Sequence, residues 1–434
     1  MLMLSLLLAL LQATDASAPL RSTSEHYEIE VHGIPESQPA LSPPPRSEEK
    51  WFVRRGDADE ALAVLEAAWP QYVEFFGAQP KLADGARLRV SLHQSFDTMS
   101  EAIRAGGGSP PPPGPGGYYC PVSRTAFLFR QPTRWYTRAL LIHEVAHQFH
   151  WLAGETSRNR KGPPPTWWGE GVVEHLAHHT WDGRELRLAV VPPVSLEDYP
   201  ARALASSARD GFAWEALPTA PEDRPAQMHF VRWLATSAKG KPTSGFRALQ
   251  ERLDRGEAAD AKALLKAAGL KSDALRDAMG KWLPSVQQPY VSLFNEWDSL
   301  GAGHLRGTAS VVGACRTRES VASHSARLRP LHGGRWRAGL LVQFTSASDH
   351  TIAVIDSGRE LRIDRWTGSW KVLGVHALKG SPDADGWWTI SASRDATTGR
   401  VRVTVGTETL GSYELPAGPM GLALDSADVE FRVP

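Results

Sequence analysis

His143-Glu144-Val145-Ala146-His147 lies inside residues 133–152, a run with Leu140, Leu141, Val145, Phe149 and Leu152 at helical spacing and with no Pro or Gly. The pattern predicts a buried α-helix. On such a helix residues four apart stand one above the other, about 5 to 6 Å apart at Cβ, so both imidazoles could reach one Zn²⁺ at about 2.0 to 2.1 Å. Glu144 lies one step around the helix. There a carboxylate can hold a water without filling a coordination position, the placement a general base needs.

A second helix follows, reading Trp167-Trp168-Gly169-Glu170-Gly171-Val172-Val173-Glu174. It offers a carboxylate, Glu170, as third metal ligand, with Glu174 one turn later on the same face. Residues 154–165 between the helices are rich in Gly, Pro and charge, so they read as a loop that lengthens the connection without disturbing either helix.

These two segments resemble those of gluzincin metallopeptidases, which pair HExxH with a downstream Glu. In the aminopeptidase-like branch that Glu sits in a Trp-x-x-Glu-Gly context, and Trp167-Trp168-Gly169-Glu170-Gly171 is similar to it, with Gly169 where Asn or Ala is commoner. The resemblance implies Zn²⁺ held by His143, His147 and Glu170, Glu144 as general base, and Glu174 as an acid bonded to a ligand histidine. The longer spacing from His147 to Glu170 is similar to a divergent bacterial branch. The resemblance also implies a downstream donor for the oxyanion; His229 is the first candidate and Tyr199 the alternative, each weighed against an ordinary structural role. It implies a peptide-binding edge strand at residues 125–129, with Tyr118 and Tyr119 bordering the cleft or simply packing. His175, His178 and His179 read as a wet helix end.

Composition sets limits on this reading. A chain of 434 residues with 42% apolar content is expected to form two packed cores. Lys plus Arg number 48 and Asp plus Glu number 48, which leaves no basic surplus for nucleic acid or lipid. Residues 1–18 hold an apolar run too short to span a membrane, followed by Ala16-Ser17-Ala18, a signal-peptide pattern that implies export. Cys120 and Cys315 exclude a cysteine zinc site, and a bridge between them and two unpaired buried thiols stand at even odds.

Four segments are expected: a signal peptide at 1–18, an opening strand and Pro-rich linker at 19–50, an α+β thermolysin-like zinc domain at 51–298, and an all-β jelly-roll sandwich at 299–434. The last segment shows short alternating runs separated by Gly, Asp and Ser, and it resembles laminin-G and concanavalin-like folds. Its Trp366, Trp370, Trp387 and Trp388 are candidates for stacking on a glycan, although tryptophans in strands are more often core. The expectation drawn from the sequence is an exported zinc metallopeptidase acting on a peptide or protein. Two other readings stand beside it: a vestigial enzyme that binds carbohydrate or protein, and a zinc hydrolase of non-peptide amides or esters.

Overall fold

The computed structural model describes residues 19–32, 55–113, 116–131, 134–157, 164–191, 199–208, 223–236, 244–257, 263, 266–267, 275–286, 288–294, 296–301, 303–331 and 333–434. The expected signal segment and most of the Pro-rich linker fall outside them. No helix among the described residues is long and apolar enough to cross a membrane. The chain divides into two compact units, one of residues 1–132, 136–165 and 251–258, the other of 133–135, 166–250 and 259–434.

The first unit is α+β. Its elements are β1 (Leu20–Thr23), β2 (Tyr27–Val31), α1 (Arg55–Phe76), β3 (Leu88–His93), α2 (Phe96–Ala105), β4 (Gly117–Cys120), β5 (Thr125–Phe129) and α3 (Arg134–Ser157). The strands form one sheet in the order β1-β2-β3-β5-β4. The central pairs β2–β3 and β3–β5 are parallel, and the outer pairs β1–β2 and β4–β5 are antiparallel. Tyr27, Ile29 and Val31 alternate into the core, as period-two patterning requires. Ser95 caps α2 by accepting from the Thr98 N–H at 3.3 Å. The strand expected at residues 125–129 is β5, and the expected helix at 133–152 is α3, which runs on to Ser157. The sequence predicts no strand at β4, whose Tyr118 and Tyr119 it reads only as bordering a cleft or packing. Because β4 pairs outside β5, the sheet edge is β4 and not residues 125–129.

The second unit opens with α4 (Thr166–Ala177), the hairpin β6 (His179–Trp181) and β7 (Leu186–Leu188), then α5 (Tyr199–Ser207), α6 (Arg224–Thr236), α7 (Ser244–Asp254, whose last turn belongs to the first unit) and α8 (Leu275–Trp282). Strands follow: β8 (Tyr290–Phe294), β9 (Glu296–Gly301), β10 (His304–Thr317), β11 (Ser323–Pro330), β12 (Arg337–Ser346), β13 (Asp349–Asp356), β14 (Glu360–Trp366), β15 (Trp370–Ala377), β16 (Trp388–Arg394), β17 (Arg400–Val405), β18 (Glu408–Glu414) and β19 (Gly421–Arg432).

Every described pairing among β8 to β19 is antiparallel, and the twelve strands form one sandwich-like sheet. Two long strands make this arrangement. The first half of β19 pairs β12 and its second half pairs β11, while β10 runs along its other side with a register shift between Ala309 and Val312. A bulge of this kind bends a strand and increases its twist, so β19 passes from one arm of the sheet to the other. The core between the arms draws Leu340, Ile355 and Ile363 from one and Ile390, Val403 and Phe431 from the other. Strand structure begins at Tyr290, before the boundary expected at residue 299, because β8 and β9 share β10 as their partner.

Candidate metal centre

α3 presents His143 and His147 from adjacent turns, with ring centroids 4.9 Å apart. His143 and Glu144 are each 5% exposed, and His147 is half-buried. The rest of the helix is fixed by contacts the apolar pattern demands. Ile142, Val145 and Phe149 are fully buried, and the Tyr72 hydroxyl donates to the Ile142 carbonyl at 2.9 Å. The Gln148 amide donates to the carbonyls of Arg89 at 3.0 Å and Arg124 at 2.8 Å, tying the helix to the sheet. Arg138 pairs with Glu60 at 2.9 Å, and His150 with Asp254 at 2.6 Å.

Glu144 lies against β4. A Cβ on Gly117 would stand 2.6 Å from Glu144 Cγ and 2.8 Å from its Oε1, so only a residue without a side chain admits the carboxylate here. Burial, with lesser contributions from the neighbouring Cys120 and Glu144, raises the Tyr118 hydroxyl above its ordinary pKa. Tyr118 therefore stands near the Glu144 charge, whereas Tyr119 is buried packing. Sequence reasoning missed Gly117, although a glycine ending a Gly/Pro run just before two tyrosines was the available signal.

α4 carries Glu170, half-buried, and Glu174, buried. Arg224, the first residue of α6, reaches both, its guanidinium 3.3 Å from Glu170 Oε2 and 3.9 Å from Glu174 Oε1. Gly171 is where the two helices touch; a Cβ there would stand 2.8 Å from the Gln227 carbonyl oxygen and 2.8 Å from a Val231 methyl. One ligand atom from each of His143, His147 and Glu170 lies within 4.8 Å of the other two. Two imidazole nitrogens and one carboxylate oxygen make the donor set of a catalytic zinc site.

His229 is fully buried on α6, its ring 5.9 Å from that of Trp282. Burial first, then the charge of Arg232, holds its pKa well below the ordinary histidine value. Tyr199 begins α5, and its side chain lies outside the description. The wet-end reading of the three histidines is corrected, since His175, His178 and His179 are all buried. The reason is β6, which starts directly after the helix. His178 Nδ1 is 2.9 Å from the Glu174 carbonyl, and Trp135 stacks on His179 with centroids 5.4 Å apart.

In the strand-rich region the four tryptophans separate. Trp388 is core, and Trp387 is enclosed by the guanidiniums of Arg327, Arg329 and Arg432 at 4.6 to 5.4 Å from its ring. Trp366 and Trp370 meet with centroids 5.3 Å apart, and Trp370 is 42% exposed. Cys120 and Cys315 are buried free thiols, in separate clusters.

No family model and no curated protein matches this chain. Among solved structures it is similar to a carbohydrate-binding module of Bacillus subtilis, at 13% identity over 33% of this chain and 93% of that one, with a TM-score of 0.29. It is also similar to a galectin of Caenorhabditis elegans, at 12% identity over 26% and 84%, with a TM-score of 0.21. A third is an endo-β-galactosidase of Clostridium perfringens, at 11% identity over 35% and 55%, with a TM-score of 0.24. The expectation of a metallopeptidase acting on peptides is corrected: no family model or curated protein supports a protease or gluzincin assignment, and the three titles name a carbohydrate-binding module, a galectin and an endo-β-galactosidase.

Proposed function

We propose that this chain is an exported zinc-dependent hydrolase of an ester, or of an amide outside the peptide backbone. What carries the reading is the meeting of one donor atom each from His143, His147 and Glu170 within 4.8 Å. When bound, Zn²⁺ supplies a Lewis acid that makes water a nucleophile near neutral pH. His143 and His147 would hold it through ring nitrogens and Glu170 through a carboxylate oxygen. Glu144 accepts the proton of the attacking water on its carboxylate and returns it to the leaving group, a role that needs a fixed position more than an unusual basicity. Gly117 on one side and the buried helix on the other give it that position. Arg224 keeps Glu170 and Glu174 aligned along α4.

A second reading concerns the strand-rich region, where the exposed Trp366–Trp370 pair favours glycan binding, because an aromatic face and a pyranose ring stack. The two readings are compatible in one chain.

The test is a panel of simple esters, acylated sugars, non-peptide amides and peptides, run with and without chelator, on the wild type and Glu144→Gln. Chelator-sensitive turnover of an ester or non-peptide amide, lost by at least about 10²-fold in Glu144→Gln with zinc content unchanged, is the expected result. Turnover that survives in that variant, or that spares every ester and non-peptide amide while peptides are cut, overturns the proposal.

A further inference from the structure

Arg232 and His229 stand three residues apart on α6, on one face of the helix. Arg232 is 9% exposed and His229 fully buried. Of the guanidinium's donors, Nη2 reaches the carbonyl of Ala189, while Nη1 has no partner among the described residues. Both ring nitrogens of His229 likewise have no protein partner there. No carboxylate lies within ion-pair distance of Arg232 among the described residues; the nearby acid of α4, Glu174, is taken up with Arg224. The other titratable groups that feel Arg232 are His175 and His178, both held below their ordinary values by burial and by that same charge, His178 at about 4. At neutral pH the cluster is thus one cation among three neutral imidazoles. Burial lowers the guanidinium itself to about 10, which still leaves it charged.

A charge taken out of water without a counter-ion is among the most costly features a core can hold. Arginine cannot relieve that cost by losing its proton near pH 7, because even its depressed value lies about three units higher. We propose that Arg232 and His229 form an internal site for a small monovalent inorganic anion of the halide class. The guanidinium Nη1–H and an imidazole N–H both donate to it. The ring of Trp282, 5.9 Å from that of His229, supplies apolar surface, which suits a weakly hydrated anion better than a carboxylate. The site is separate in its residues from the His143, His147 and Glu170 group, so it is tested without any hydrolytic assay.

The experiment is thermal unfolding of the full chain at fixed ionic strength and pH 7.5, with sodium gluconate replaced stepwise by sodium chloride or bromide. The wild type is expected to gain about 3 °C or more, saturating with concentration as single-site linkage requires. Arg232→Met and the milder His229→Leu are expected to lose the halide-specific gain. As a readout independent of stability, wild-type protein should broaden the chloride nuclear resonance, and added iodide should reverse the broadening. No halide-specific shift in the wild type, or an equal shift in wild type and His229→Leu together with broadening that iodide leaves unchanged, overturns the proposal.

Discussion

Gly117→Ala places a methyl group where Glu144 now lies. The added Cβ would stand 2.6 Å from Glu144 Cγ, about 0.8 Å short of the 3.4 Å at which ordinary contact begins. Cγ is close to the helix backbone and Val145 and Ala146 are fully buried, so the relief must come from rotation of the Glu144 side chain or from a small shift of β4. Overpacking of this kind costs about 1 to 3 kcal/mol in a closed core, and an edge strand that can move sits at the low end. Catalysis is less forgiving: a displacement near 1 Å at a proton-transferring group costs about 10²-fold, equivalent to about 2.7 kcal/mol of barrier. The assay pairs kcat/KM on the best substrate of the hydrolase panel with zinc content by metal analysis and with Tm. We expect turnover to fall by about 30- to 100-fold, zinc to stay stoichiometric, and Tm to drop by only a few degrees. A variant with turnover within about twofold of wild type and full zinc would refute the assignment of Glu144 as the base held by β4.

Glu170→Ala is expected to lower zinc affinity by far more than Glu174→Ala, as equilibrium competition with a chelator would show; equal affinities would mean that the ligand is misassigned. Arg337→Met removes the guanidinium that bridges Asp364, Asp425 and Asp356, and a loss of about 1 to 3 kcal/mol in urea unfolding is expected, since Arg362 at 3.4 Å still reaches the nearly buried Asp364 and Arg335 at 3.3 Å still reaches Asp356. Trp370→Ala should abolish retention on immobilised glycans without changing Tm, because the side chain is exposed; unchanged retention would remove the tryptophan pair from that role.

How much of this was legible beforehand follows from how local each signal is. The helix bearing His143 and His147 announced itself through an uninterrupted apolar period, and Glu170 through its place one turn inside the next helix. β4 escaped because four residues after a Gly/Pro run carry no alternation of their own; the strand exists through its pairing with β5. The burial of His175, His178 and His179 escaped for a similar reason, since it depends on a hairpin whose strands are three residues each, a signal too short to read. Residues 370–377 were missed as a strand because Trp370, Val372 and Val375 face outward at an edge, which inverts the usual relation between hydrophobicity and burial. The peptidase expectation went wrong at another level, because a ligand constellation identifies a metal and a nucleophile but carries no information on which acyl group is presented to them.

Arg224 has a consequence for the chain without its ion. Two acids one turn apart on α4 would repel each other, and a guanidinium between them offsets that repulsion whether or not zinc is present. On the proposed zinc reading, this contact between the start of α6 and α4 does not depend on the ion, so the Glu170 carboxylate keeps a cationic neighbour in the loaded and the empty protein alike.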